Sequence, residues 1–262
     1  MRSNFDIAAI SYDKTFTNSS IGKAQRMQVY RYLKNVLNSK ENQQILEINC
    51  GTGEDALYFN SLNHNVLSTD ISSEMIQIAK QKNSNNKIRF EVMDLKKIAD
   101  KNFNTKFDFI FSNFGGLNCL SKEELKRFFT SAQKLLKENS KIIAIIMPKK
   151  TLWERFYFSI KGDLKKAKRR NTNKNLAVNV DGVLVNTWYF NPKEIKNITR
   201  NLKTIKLKPI GLFVPPSYLQ NSILGSSLFI KFLSFLDKMI NLSFLAKYAD
   251  HFYIEMQKQE KL

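Results

Sequence analysis

A chain of 262 residues, 43% of them hydrophobic, can bury one well-packed domain with room for an insertion, and its apolar content is that of an ordinary globular protein. Two cysteines, Cys50 and Cys119, are too few for a disulfide framework or a zinc site, so free buried thiols and no metal are expected. The formal charge of +19 leaves two readings open. Lys, Asn, Ile and Phe are abundant throughout, which fits a solvated basic surface, while clustered cations would fit an anionic partner, lipid or nucleic acid. The start M-R-S-N-F-D-I-A-A-I has no secretory apolar region, so a cytoplasmic location in a reducing compartment is expected.

In chain order, residues 20–38 carry apolar positions at helical spacing and predict an amphipathic helix. A first strand follows at Ile45–Asn49, a helix after a glycine turn, and a second strand at Asn65–Thr69. A helix from about Ser73 leads to a third strand, Lys87–Val92, and a fourth spans Phe107–Ser112. The S-K-E-E start at Ser121 is a capping box that opens the next helix, and Lys141–Pro148 is a fifth strand. Apolar runs alternating with helices predict a parallel sheet covered on both faces. Beyond Pro148 the pattern changes. Thr151–Asn175 reads as a very basic helix, Asp181-Gly182 as a hairpin turn, and Asn191-Pro192 as a helix start. A strand at Thr204–Val214 stops at Pro215-Pro216, a long apolar helical segment covers Gln220–Tyr248, and His251–Gln257 forms a last strand. Charges at Lys231, Asp237 and Lys238 interrupt the apolar segment, so no membrane span is expected. It reads either as a core-covering lid or as an interfacial helix in peripheral contact with a membrane.

The stretch Gln44–Asp70 carries the chemistry. An apolar run ends in E-I-N-C-G-T-G, an amphipathic helix follows, and a second apolar run ends in an acid. This is the start of a βαβ nucleotide-binding unit. Glycines at 51 and 53 let backbone approach a ligand, and Asp70, roughly 20 residues after the turn, is placed to accept ribose hydroxyls. The third glycine of a dinucleotide fingerprint is missing, and Glu54 and Asp55 at the helix start would repel a pyrophosphate. A cationic nucleoside without phosphate suits the turn better.

The E-x-N-x-G-T-G pattern, followed by T-D-I-S on the next strand, resembles class I S-adenosylmethionine-dependent methyltransferases, chiefly small-molecule enzymes of the ubiquinone and menaquinone type. The likeness covers residues 44–148 well and residues 188–214 more loosely. Asn49 stands where that family has glycine, and Asn tolerates left-handed backbone better than most residues. The resemblance implies a doubly wound, Rossmann-like α/β fold with a seven-stranded, mostly parallel sheet, a helix and hairpin insertion, and C-terminal helices as a lid. It implies one methyltransferase domain over 1–262: a helical cap to residue 43, a cofactor core at 44–148, an insertion at 149–190, and the rest of the sheet at 191–262 with a lid at 216–248. Glu47, Asn49, Cys50, Gly51 and Gly53 would then face the methionine part of S-adenosylmethionine, whose product is S-adenosylhomocysteine. Asp70 would hold the ribose, Ile71 and Met75 the adenine faces, and Asp94 and Leu95 its edge, with Ser112 and Asn113 near the methionine end. A Tyr-Asp pair in the N-terminal segment implies that Tyr12 covers the methyl group and Arg26 meets the cofactor carboxylate.

Methyl transfer is an in-line displacement in which the protein mainly aligns donor and acceptor, so no catalytic base is assigned. The place after the fourth strand reads S-N-F-G-G-L-N instead of the N-P-P-Y type of nucleobase enzymes, which disfavours a nucleic-acid acceptor. Trp153, Tyr157, Trp188, Tyr218 and His251 are candidate acceptor contacts, pointing to a small apolar, aromatic or lipid-like molecule. Two alternatives stay open: an RNA or protein methyltransferase docking through the basic helix, and a protein that binds S-adenosylmethionine without catalysis.

Overall fold

The computed structural model describes residues 4–83 and 87–259, so the first three residues of the amino-terminal start lie outside it. A seven-stranded sheet is built from β1 (Gln44–Ile48), β2 (Asn65–Asp70), β3 (Arg89–Val92), β4 (Phe107–Ser112), β5 (Leu136–Ile146), β8 (Leu202–Ile210) and β9 (His251–Lys258). β6 (Leu176–Val180) and β7 (Val183–Thr187) form a separate hairpin. The strand order is β3-β2-β1-β4-β5-β9-β8, parallel except where β9 runs against β5 and β8. The order reverses between β1 and β4, which opens a crevice at their carboxyl ends.

The apolar strands are continuous because both faces are buried. Leu46, Ile48, Ile110, Ile142, Ile146, Phe252 and Ile254 point to one side and pack with α5 (Lys122–Ala132) and α8 (Pro192–Ile198). Ile45, Phe109, Phe111, Ile143, Ile145 and Tyr253 point to the other and pack with α2 (Ser20–Leu37), α3 (Glu54–Ser61) and α4 (Ser73–Lys82). Alternate residues therefore serve opposite cores, the two-residue period of a strand covered twice. Local signals set the helix starts. Ser19 and Ser72 accept the Gly22 and Met75 amides, and at Ser121 the capping box closes with bonds of 2.8 and 3.3 Å. The hairpin turns through Asp181 and Gly182, both at positive φ.

Three expectations need correction. The basic helix is two short ones, α6 (Leu152–Ile160) and α7 (Leu164–Ala167), separated at Gly162, whose φ of 72° no helix accommodates. Two of its cations turn inward. Arg169 grips Glu154 with two nitrogens, while buried Arg170 bonds Glu154 and both the carboxylate and the carbonyl of Asp250. The strand read to Val214 ends at Ile210. The Gly211 amide donates to the Gln28 side chain and those of Leu212, Phe213 and Val214 all donate to Asp237, so the chain leaves the ladder. The long lid helix is only α9 (Ser227–Met239), flanked by 3₁₀ turns at Ile223–Gly225 and Ser243–Tyr248. Among the described residues no helix is long and apolar enough to cross a membrane.

Among the described residues Arg170 alone pairs with two buried carboxylates at once, Glu154 and Asp250. Replacing it with alanine leaves Glu154 to Arg169 alone and Asp250 to Gln25 and His251, and urea denaturation should register a loss of about 1.5–3 kcal/mol. Arg169→Ala, at a half-exposed position, should cost no more than about 1 kcal/mol.

Candidate active site

A cleft of about 430 Å³ opens at the carboxyl ends of β1, β2 and β4 and beyond the end of β3. Nine of the predicted cofactor residues line it: Tyr12, Asn49, Gly51, Asp70, Ile71, Met75, Asp94, Leu95 and Asn113. They come from four strand ends and the N-terminal helix α1 (Asn4–Tyr12), a gathering that the strand order itself produces.

The turn after β1 is built without its usual first glycine. Asn49 takes a left-handed φ of 56°, and its side-chain amide donates to the Ser112 hydroxyl at 3.2 Å. That amide occupies the space beside Gly116, where a Cβ would lie 2.2 Å from Asn49 Nδ2 and 2.4 Å from its Cβ. The extra side chain at 49 and the missing one at 116 are thus matched. Gly53, at φ 80°, has a packing role: a Cβ there would meet Ala79 at 2.9 Å and Phe90 at 3.0 Å. It supplies the close helix–strand approach that the missing third glycine would otherwise give.

Asp70 is buried, and its two oxygens accept the amides of Gly51 at 2.9 Å and Ser72 at 3.0 Å. Burial pushes its carboxyl up, and these amides oppose the rise. Two amides use about half of a carboxylate's acceptor capacity, which leaves room for a diol. Ile71 is 44% exposed on the cleft wall and Met75 is buried in it, so both offer apolar surface. Asp94 accepts the Lys96 amide at 2.9 Å with one oxygen.

Five predicted cofactor residues, Arg26, Glu47, Cys50, Gly53 and Ser112, stand behind the cleft lining. Glu47 is buried beneath the turn and takes a 2.6 Å bond from the Ser68 hydroxyl. Burial, with nearby Asp55, pushes its carboxyl well up. Cys50 is also buried, and burial raises its thiol. Arg26 lies over the Phe114 ring at 5.2 Å, and its Nε is 3.6 Å from Asp55. Its Nε and Nη1 are buried and lack a hydrogen-bond acceptor among the described residues. Beside a cleft-lining phenylalanine, such an arginine suits a carboxylate. Asp55 is turned away from any ligand. It accepts from Tyr30 at 2.7 Å and from Asn113 at 2.9 Å, so its place at the helix start reflects the fold and not the exclusion of phosphate.

The expected acceptor residues are elsewhere. Trp153 donates to the Phe213 carbonyl, Tyr157 and Tyr218 pack near one another beside Phe158, Trp188 packs on the core, and His251 sits edge-on to Phe114 and 3.2 Å from Asp250. None lines the cleft. That part of the wall is made by Phe114, Cys119, Leu120, Met147, Val180 and Val185. Sequence reasoning missed Asn118. Its buried side chain donates to the carbonyls of Met147 and Trp188 and accepts the Met147 amide, which fastens the chain after β4 to the ends of β5 and the hairpin. The G-G-L-N context was the available signal.

The N-terminal segment covers one side. The Ser72 hydroxyl donates to Asp6, the Thr52 hydroxyl donates to Asp13 at 2.5 Å, and Lys82 pairs with Asp13 at 2.5 Å. At the hairpin tip the Thr15 hydroxyl donates to Asp181 at 2.8 Å.

Residues 45–139 match the family model of the methyltransferase domain. No curated protein matches the sequence. Among solved structures, a putative S-adenosylmethionine-dependent methyltransferase from Listeria monocytogenes is 14% identical, with a TM-score of 0.60 over 88% of this chain and 96% of its own. One from Clostridium acetobutylicum, also 14% identical, has a TM-score of 0.58 over 96% and 97%. A magnesium protoporphyrin IX methyltransferase from Synechocystis, solved with bound S-adenosylhomocysteine, is 15% identical, with a TM-score of 0.57 over 92% and 86%. The chain thus has the fold of class I S-adenosylmethionine-dependent methyltransferases, and its residues 45–139 match the methyltransferase domain model.

Proposed function

We propose that this protein is an S-adenosylmethionine-dependent methyltransferase acting on a small, apolar or aromatic acceptor. The observation that carries the reading is the gathering of Asn49, Gly51, Asp70, Asp94, Leu95 and Asn113 around one cleft whose far wall is apolar. Asp70 takes the ribose diol, Ile71 and Met75 hold the adenine faces, and Asp94 accepts from the exocyclic amine. Arg26 supplies its unmatched donors to the cofactor carboxylate, and Tyr12 closes over the reacting end. When bound, S-adenosylmethionine supplies an activated methyl group on a thioether leaving group that needs no acid.

The chain's share is alignment and exclusion of water. Among the described residues the cleft offers no suitable base, since Lys96 on its rim is paired with Glu124. Burial raises the Tyr12 phenol and pushes the Cys119 thiol up to about 12, and both stay protonated at neutral pH. Asp70 and Asp94 are engaged with the nucleoside. The acceptor atom therefore brings its own free lone pair, as an unprotonated amine or an ionised oxygen does. The apolar wall of Phe114, Met147, Val180 and Val185 favours a greasy or aromatic body. Glu154 and Asp250 occupy Arg169 and Arg170, which weakens the case for a basic docking helix and supports the small acceptor.

Calorimetry with S-adenosylmethionine, and NAD as control, tests the reading; selective binding of the former is expected. Asp70→Ala should weaken it about 10- to 100-fold, the loss of hydrogen bonds to a charged group. Unchanged affinity in a folded variant removes the ribose assignment. Val185→Arg should leave that affinity intact and abolish turnover in a screen of amines and phenols; if cofactor affinity falls with it, the acceptor side is misplaced. The cofactor turn gives an independent check. Gly116→Ala forces a Cβ against Asn49 and should cost about 1–3 kcal/mol and loosen cofactor binding. Asn49→Gly in the same chain should restore both, a coupling that thermal melts of the four variants would measure.

A further inference from the structure

We infer that the α2–α9 face is a docking surface for an anionic lipid bilayer. α9 buries Ile230, Leu233 and Asp237 against the body of the protein. On the opposite side, spaced i, i+4, i+7 and i+11, stand Leu228, Phe232, Phe235 and Met239, which are 82, 57, 57 and 66% exposed. Four large apolar side chains in one helical stripe are held out in water, and the neighbouring Ile223 and Phe244 are exposed as well. The stripe is no by-product of α9 anchoring. Its buried side is already complete, with Asp237 accepting three amides from residues 212–214.

Charge identifies what covers it. Along one side of the stripe runs a groove of about 580 Å³ between α2 and α9, lined by Lys23, Arg31, Lys231 and Lys238. None of the ion pairs among the described residues engages these four cations. Asp237, the one acid lining the groove, is buried and occupied by its three amides. Apolar side chains of Phe and Leu bordered by free Lys are the pattern of a helix lying in the plane of a membrane interface. The rings enter the acyl boundary, and the cations meet lipid phosphates at headgroup level. The groove is polar and cationic enough to receive a headgroup, whereas a second copy of this chain would bring like charge against like, since the whole molecule carries +19. The groove shares no lining residue with the cleft, so this surface places the protein at a membrane without using any residue that lines the cleft.

The test is co-sedimentation of the full chain with phosphatidylcholine vesicles, with and without about one-third phosphatidylglycerol. Binding to the anionic vesicles only, weakened by high salt, is expected. Lys231→Ala/Lys238→Ala should lower the partition coefficient roughly thirtyfold, at about 1 kcal/mol per lysine near an anionic surface. Phe232→Asp/Phe235→Asp should abolish binding while leaving the thermal melt and S-adenosylmethionine affinity unchanged, because both rings are solvent-exposed. Failure of the wild-type chain to bind anionic vesicles overturns the inference. So does equal binding by the lysine variant, which remains a test should the phenylalanine variant misfold. A wild-type dimer in light scattering that splits on Phe232→Asp would reassign the face to contact between copies.

Discussion

The site depends on one buried carboxylate. Asp55 opens α3 immediately after the cofactor turn, where it is nearly inaccessible to water. A carboxylate so placed costs several kcal/mol unless its oxygens are matched. The matching comes from three groups on two elements: the Tyr30 hydroxyl and the Arg26 guanidinium from α2, and the Asn113 amide from the end of β4. Satisfying Asp55 therefore fixes α2 against α3 and sets the start of the loop after β4 at the cleft. It also leaves Arg26 only partly neutralised, with two buried donors still open above Phe114. On the proposed function, the acid that holds the scaffold together is also what leaves a cation ready for the cofactor carboxylate.

What was legible in the sequence is what local chemistry determines. The carboxyl ends of β1 to β4, the glycine turn, the Ser121 capping box and the Asp181-Gly182 hairpin each depend on residues within a few positions, and each stands within a residue of where it was expected, whereas β5 starts five residues before the expected Lys141. The illegible parts depend on distant partners. Arg170 reads as one more cation of a basic run, and only its pairing with Asp250, 80 residues later, turns it inward. The end of β8 is decided by Asp237, more than 20 residues downstream, which takes the amides the strand would have used. The aromatic candidates stand outside the cleft lining for a related reason. Trp153, Tyr157 and Tyr218 satisfy the added helices, whereas the cleft wall uses valines and methionine that carry no sequence signal of their own.

The cleft is closed by weak latches. The N-terminal segment is tied down through Asp6, Asp13 and Thr15, and the last of these reaches the hairpin at Asp181. Burial pushes the Asp13 carboxyl up, but Lys82 and Thr52 outweigh it and hold the group below its usual range, so the latch is charged at neutral pH. Its contribution is present above the unfolded value and is lost as pH falls through the folded one. Of these bonds only the one from Ser72 to Asp6 is buried, so the rest of the latch is open to water, unlike the doubly covered sheet.

A net charge of +19 is a poor guide to partners until its members are sorted. Arg26, Lys82, Lys141, Lys149, Arg169 and Arg170 are all held by acids of the chain itself, several in buried positions where their role is structural. The cations that can act outward are those left over, and their neighbours decide what they recognise. Lys23, Lys231 and Lys238 flank an unpaired apolar stripe on α9. A polyanion would leave that stripe in water, whereas an anionic bilayer removes it from water and meets the charges in the same step. The position of the charges beside exposed phenylalanines, and not their number, is what singles out the ligand.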